Sequence, residues 1–116
     1  MKTELEERTK KFAVRIVKTV GSFPKSSEGQ IIGRQLLKAG TSIGANYREA
    51  NRAESRDDFI HKTGIAEKEA AETIYWLEIC QETKLGNREI MDGLHKEAGE
   101  LLAILITIGR KAKGAR

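Results

Sequence analysis

At 116 residues and 12.9 kDa the chain has the length of one domain, with enough mass to bury a core without disulfides or metals. Its single cysteine, Cys80, excludes an internal bridge and fits a reducing cytoplasm. The opening MKTELEERTKK has no apolar run behind its first lysine, so no secretory signal is expected. No apolar stretch approaches the roughly 18–20 residues that span a bilayer.

The net charge of +4 is unevenly spread. Residues 1–56 carry twelve Lys/Arg against six Asp/Glu, residues 57–109 five against eleven, and the tail 110–116 four basic residues and no acidic one. The body is therefore neutral as a whole, and the tail holds the excess. That tail, Arg110, Lys111, Lys113 and Arg116, reads either as a solubilising terminus or as an arm that touches phosphates.

One proline and abundant Ala, Leu, Glu, Lys and Arg, with almost no strand-type alternation, predict an all-α chain. The first helix spans about 4–21. It opens on a Thr3–Glu6 capping box, carries the stripe Leu5, Phe12, Ile16, Val20, and stops at Gly21 and Pro24. The second spans about 27–52 from a Ser27–Gln30 box, with Ile32, Leu36, Ala39, Ile43 and Ala50 inward. Gly29, Gly33, Gly40 and Gly44 fall on one side of it. At about 1 kcal/mol of lost propensity each, they imply close approach by a neighbouring helix, or else a strip of backbone bared for a ligand.

The third helix, about 56–84, is capped by Ser55 and has Asp57 and Asp58 in its first turn. Phe59, Thr63, Ala66, Ala70, Ile74 and Leu77 face inward. Ile65, Trp76 and Ile79 form a second apolar strip among charges, beside Glu69 and Glu72, and these five residues are the expected self-association surface. The fourth helix, about 88–110, is capped by Asn87, inward-facing through Ile90, Leu94, Leu101, Leu105 and Ile108, and ended by Gly109 and the basic tail. Four amphipathic segments with short links make an up-down-up-down antiparallel four-helix bundle, a single domain over 1–116 with a basic tail at 110–116.

Chemistry is sparse. Asp58-x-x-His61 and Asp92-x-x-His95 have the spacing of di-metal ligands, but their histidines lie well off the apolar stripes and at opposite ends of such a bundle. No metal or cofactor is expected. Cys80 sits mid-helix among apolar residues, and no nucleophile motif, phosphate loop or zinc spacing occurs. The chain reads as non-enzymatic, with no membrane contact and no small-molecule substrate in evidence. The junction of the second and third helices is richer. There Arg48, Arg52 and Arg56 could engage phosphates while Tyr47 stacks on a base. The alternative is that Asn51 and Ser55 act as caps and the arginines pair with Glu49, Glu54, Asp57 and Asp58.

The segments SIGANYREANRAESRDDFIHK and IAEKEAAETIYWLEI, with the closing LLAILITI, resemble the small four-helix-bundle proteins encoded in intervening sequences of bacterial 23S ribosomal RNA genes. The resemblance covers nearly the whole chain and is most distinctive over 42–79. It implies a ring-like homopentamer without enzymatic activity. That family is also similar to the accessory protein of diversity-generating retroelements, a basic pentameric bundle that binds nucleic acid and a reverse transcriptase. This chain departs from that type in its neutral body and acidic third and fourth helices. The expectation is a cytoplasmic homo-oligomer that associates with RNA or a ribonucleoprotein. The competing expectation is a protein-binding scaffold that uses the acidic third and fourth helices and no nucleic acid.

Overall fold

The computed structural model describes residues 2–114. Four helices, α1 (Lys2–Gly21), α2 (Ser27–Asn51), α3 (Arg56–Thr83) and α4 (Arg88–Gly114), form an antiparallel bundle of 48 × 20 × 20 Å. Each helix packs along the next, whereas the α1–α4 seam that closes the bundle is much sparser.

Local chemistry sets the turns. Ser26, one residue before the expected cap, takes extended backbone and its hydroxyl accepts the Gly29 N–H at 3.1 Å. The register moves because the chain folds back so tightly that a Cβ on Gly29 would strike the Pro24 carbonyl, which fixes Gly29 as the third helical residue. Ser55 caps α3 by accepting the Asp58 N–H at 3.0 Å, and Asn87 caps α4 by accepting that of Ile90 at 3.0 Å. The α3–α4 turn places Lys84 (φ 57°) and Gly86 (φ 84°) in left-handed backbone, and Leu85 N–H returns to the Cys80 carbonyl at 2.9 Å. At the start of the chain Thr3 lies inside α1, which already runs from Lys2, so the expected capping box does not form.

The core is a layer of large side chains against small ones. Phe12, Ile16, Leu36, Ile43, Leu77, Leu94, Leu101 and Leu105 are buried, while α3 contributes mainly Thr63, Ala66, Ala70 and Thr73. Two of the buried threonines satisfy themselves along the helix, Thr9 Oγ1 donating to the Leu5 carbonyl at 2.9 Å and Thr73 Oγ1 to that of Glu69 at 2.7 Å, whereas Thr63 Oγ1 is buried without a partner among the described residues. Ile90 does not join the α4 stripe and is 47% exposed; Met91 takes the inward place, packed beneath the α3–α4 turn with its Cε where a Cβ on Gly86 would be. Gly109 does not end α4 either. It is buried beneath Glu67, whose Oε2 would lie 2.8 Å from an added Cβ, and the helix continues through Arg110, Lys111 and Lys113 to Gly114. The described part of the basic tail is therefore a helix end rather than a loose arm.

The glycines of α2 serve close packing. A Cβ on Gly40 would fall 2.9 Å from Ile16 Cγ1, and one on Gly44 would fall 2.8 Å from Thr9 Oγ1 and 3.4 Å from the Thr9 backbone carbon. Gly33 receives Val20 and Phe23 in the same way. The α1–α4 seam is held differently, by charge. Arg8 forks onto Glu97 with two bonds of 2.7 Å and reaches Glu100 at 2.8 Å. The hydrogen bond from Arg8 holds the Glu97 carboxyl below its ordinary range, and the positive field of Arg8 and Arg15 adds to this.

Substitutions test these seams, with an exposed glycine as the control. Gly44→Ala should destabilise the fold by about 1–3 kcal/mol through overpacking. Gly99→Ala, at an exposed mid-helix site with nothing near the added methyl, should stabilise it by up to about 1 kcal/mol in denaturant melts. Glu97→Gln should cost roughly 1 kcal/mol at neutral pH, a modest figure because Arg8 is partly solvated. A carboxyl with a depressed folded-state pKa lends its stability above its unfolded pKa, about 4.3, and loses it as pH falls through the folded value. Melts of the wild type and of Glu97→Gln should therefore converge at low pH.

Candidate nucleic-acid interface and self-association face

Antiparallel topology brings the two basic sets predicted from sequence to the same end of the bundle. The C-terminal turn of α2, the start of α3 and the end of α4 meet there with the first turn of α1. Lys2, Asn51, Phe59 and Lys111 border a single hollow at that end. Arg48, Arg52, Arg56, Arg110, Lys111 and Lys113 are all exposed around it. Arg116 lies outside the described residues.

Several acidic residues of this end are engaged within it. Glu6 receives the Asn51 amide at 2.9 Å and faces Arg48 at 4.0 Å, while Lys62 faces Asp58 at 3.5 Å and Glu49 at 4.0 Å. Asn51 thus bridges to α1 instead of capping, and it is Lys62, which sequence reasoning passed over, that faces Glu49 and Asp58. Arg52 has no ion-pair partner among the described residues. Tyr47 corrects the sequence reading. It is 3% exposed and belongs to the core, because it lies one helical turn beyond Ile43 on the same inward side, so its ring face is closed to a stacking base.

The expected self-association strip on α3 lies on a flank of the helix. Ile65, Trp76 and Ile79 are half-buried, and Trp76 packs against the core, where it meets Tyr75 edge-on with ring centroids 5.0 Å apart. Tyr75, absent from the sequence-based strip, is the more exposed aromatic at 56%. The strip borders α2. Glu69 feels Lys38, and Glu49 of α2 faces Lys62 of α3, a register that sets the 58%-exposed Ile31 opposite the 76–79 turn. Glu72 is exposed beside the strip. Glu69 Oε1 is buried without a hydrogen-bond partner among the described residues, and desolvation followed by the nearby Glu72 charge raises its pKa.

A second partly apolar face lies on α1. Val14 and Val17, 44% and 50% exposed, share one outward line with Lys10, Lys11 and Lys18. Periodicity could have found it, since those five residues recur at helical spacing, but two valines among lysines read as ordinary surface.

The structure assembles no reactive constellation among the described residues. The Cys80 thiol is buried and pushed up to about 11 by desolvation, so it stays protonated and unreactive near neutral pH. His95 pairs with Glu78 at 3.0 Å on the surface, and His61 is exposed. No described helix is long and apolar enough to cross a membrane.

No curated protein matches the chain. Among solved structures, a crystal structure of a protein of unknown function from the S23 ribosomal protein family of Bacteroides thetaiotaomicron VPI-5482 is similar, with 41% sequence identity and a TM-score of 0.84. The match covers 90% of this chain and 96% of that one. The sequence profile of the 23S rRNA-intervening sequence protein family matches residues 1–107, and the chain belongs to that family.

Proposed function

We propose that the protein is a non-enzymatic, self-associating bundle that holds RNA, or the RNA of a ribonucleoprotein, at its basic end. The observation that carries this reading is the gathering of Arg48, Arg52, Arg56, Arg110, Lys111 and Lys113 at that end, with the last three fixed on a helix. Cations on a rigid element lose less freedom on meeting phosphates than cations on a loose arm. Membership of a family defined by 23S rRNA-intervening sequences supports RNA as the polyanion.

Self-association follows from the two faces. The α2–α3 flank carries Trp76, Ile79 and Ile31 with Glu72 and an unsatisfied Glu69, and α1 offers Val14 and Val17 among lysines. Different faces that complement one another make a head-to-tail contact, which closes into a ring when the rotation per copy allows. The pentamer implied by family resemblance is such a ring. Basic ends presented by several copies would raise the apparent RNA affinity without any new contact.

Fluorescence anisotropy with a labelled 23S rRNA transcript tests the RNA reading. Affinity should fall steeply with salt, and the variant R52E/R110E/K111E/K113E should bind at least tenfold more weakly, each lost phosphate contact lowering the salt slope by about 0.7–0.9. A salt-insensitive interaction would instead favour a protein-docking scaffold. Sedimentation tests the ring. The wild type should run as a pentamer, and Val17→Glu, at a half-exposed site outside the core, should fall to monomer with helicity kept. A wild type that is monomeric at tens of micromolar would overturn self-association.

A further inference from the structure

The sparse α1–α4 seam leaves a hollow of about 520 Å³ at the basic end of the bundle, a size within the range of small-molecule sites. Leu5 of α1, Phe59 of α3, and Ile104 and Ile108 of α4 wall it, and the buried Tyr47 closes its floor. Each of these is an apolar or aromatic side chain in a place where α1 and α4 do not meet to cover them. The mouth is different. Lys2 and Lys111 stand there from opposite helices, no Asp or Glu lines the hollow, and neither lysine has an ion-pair partner among the described residues.

An apolar trough ending between two unpaired ammonium groups suits a molecule with a hydrocarbon body and one acidic head. The body would displace water from apolar walls, at roughly 25 cal/mol per Å² of apolar area covered. The head would pair with the lysines without being desolvated in the interior, so no buried charge needs compensation. A neutral amphiphile would leave the lysines unused, and a cationic one would be repelled by them. We infer that the α1–α4 hollow binds a free amphipathic carboxylate of the medium-chain fatty acid class, with its tail along Leu5, Ile104 and Ile108 and its carboxylate between Lys2 and Lys111. This goes beyond the RNA reading, because the hollow would take its ligand whether or not the basic end contacts phosphates.

The test is a methyl-resolved NMR titration of the intact protein with decanoate below its micellar range, with decanol and decyltrimethylammonium as controls. Decanoate should give saturable shifts at Leu5, Ile104 and Ile108 and raise the melting temperature. The variant K2E/K111E should weaken decanoate roughly tenfold while leaving decanol unchanged, as expected for two solvent-exposed ion pairs. Ala103→Trp, which places an indole at the exposed edge of the hollow, should abolish the shifts. If that variant fails to fold, the lysine variant still decides. The absence of saturable shifts at those methyls, decanoate affinity untouched by K2E/K111E, or decyltrimethylammonium binding as tightly as decanoate would each overturn the inference.

Discussion

Close contact between α1 and α2 is the constraint on which the rest of the bundle depends. Gly40 and Gly44 have no Cβ where Ile16 and Thr9 need the space, so the two helices pack at backbone distance along much of their length. A small-residue seam of this kind sacrifices helix propensity for packing. It also sets where the other two helices go. With α1 drawn tightly to α2, and α3, which buries the small residues Ala66, Ala70 and Thr73, packed along α2, α4 completes the bundle against α3 and meets α1 only lightly.

That light contact shapes both the chemistry and the surface. Where side chains do not fill the α1–α4 seam, charge holds it, through the forked Arg8–Glu97 pair and its extension to Glu100. An Arg–carboxylate fork is directional, so it fixes the relative height of the two helices in a way that a loose apolar contact would not. Beyond the fork, toward the basic end, apolar walls are left facing one another across a hollow. The same looseness leaves Lys2 and Lys111 without carboxylate partners among the described residues.

Charge is distributed by topology as well as by composition. The negative residues of α3 and α4 and the positive ones of α1 and α2 neutralise each other along the bundle. An odd number of turns of the chain returns the end of α4 to the α2–α3 junction, so cations far apart in sequence become neighbours there. Their mutual repulsion is relieved in part by Glu6 and by the water around an exposed bundle end. On the long faces, Glu69 and Glu72 stand beside the apolar flank of α3, and Lys10, Lys11 and Lys18 beside the valines of α1.

Much of this was legible in the sequence because helices declare themselves locally. Caps such as Ser55 and Asn87, the 3.6-residue recurrence of Leu94, Leu101 and Leu105, and the one-sided glycines of α2 all act within a few residues of their own position. Four helices, their bounds to within a few residues at most ends, and the need for a close neighbour on α2 follow from those local rules. What the tertiary structure decided were contacts whose partners are distant in sequence. Tyr47 is core rather than stacking platform, and Trp76 lies on a half-buried flank. Gly109 is a contact for Glu67 rather than a helix stop, which leaves Arg110, Lys111 and Lys113 on a rigid helix. Sequence periodicity gives the angle of a residue on its own helix, but burial depends on how far each neighbouring helix wraps around that angle. Only the packed bundle, tight at α1–α2 and slack at α1–α4, sets that distance.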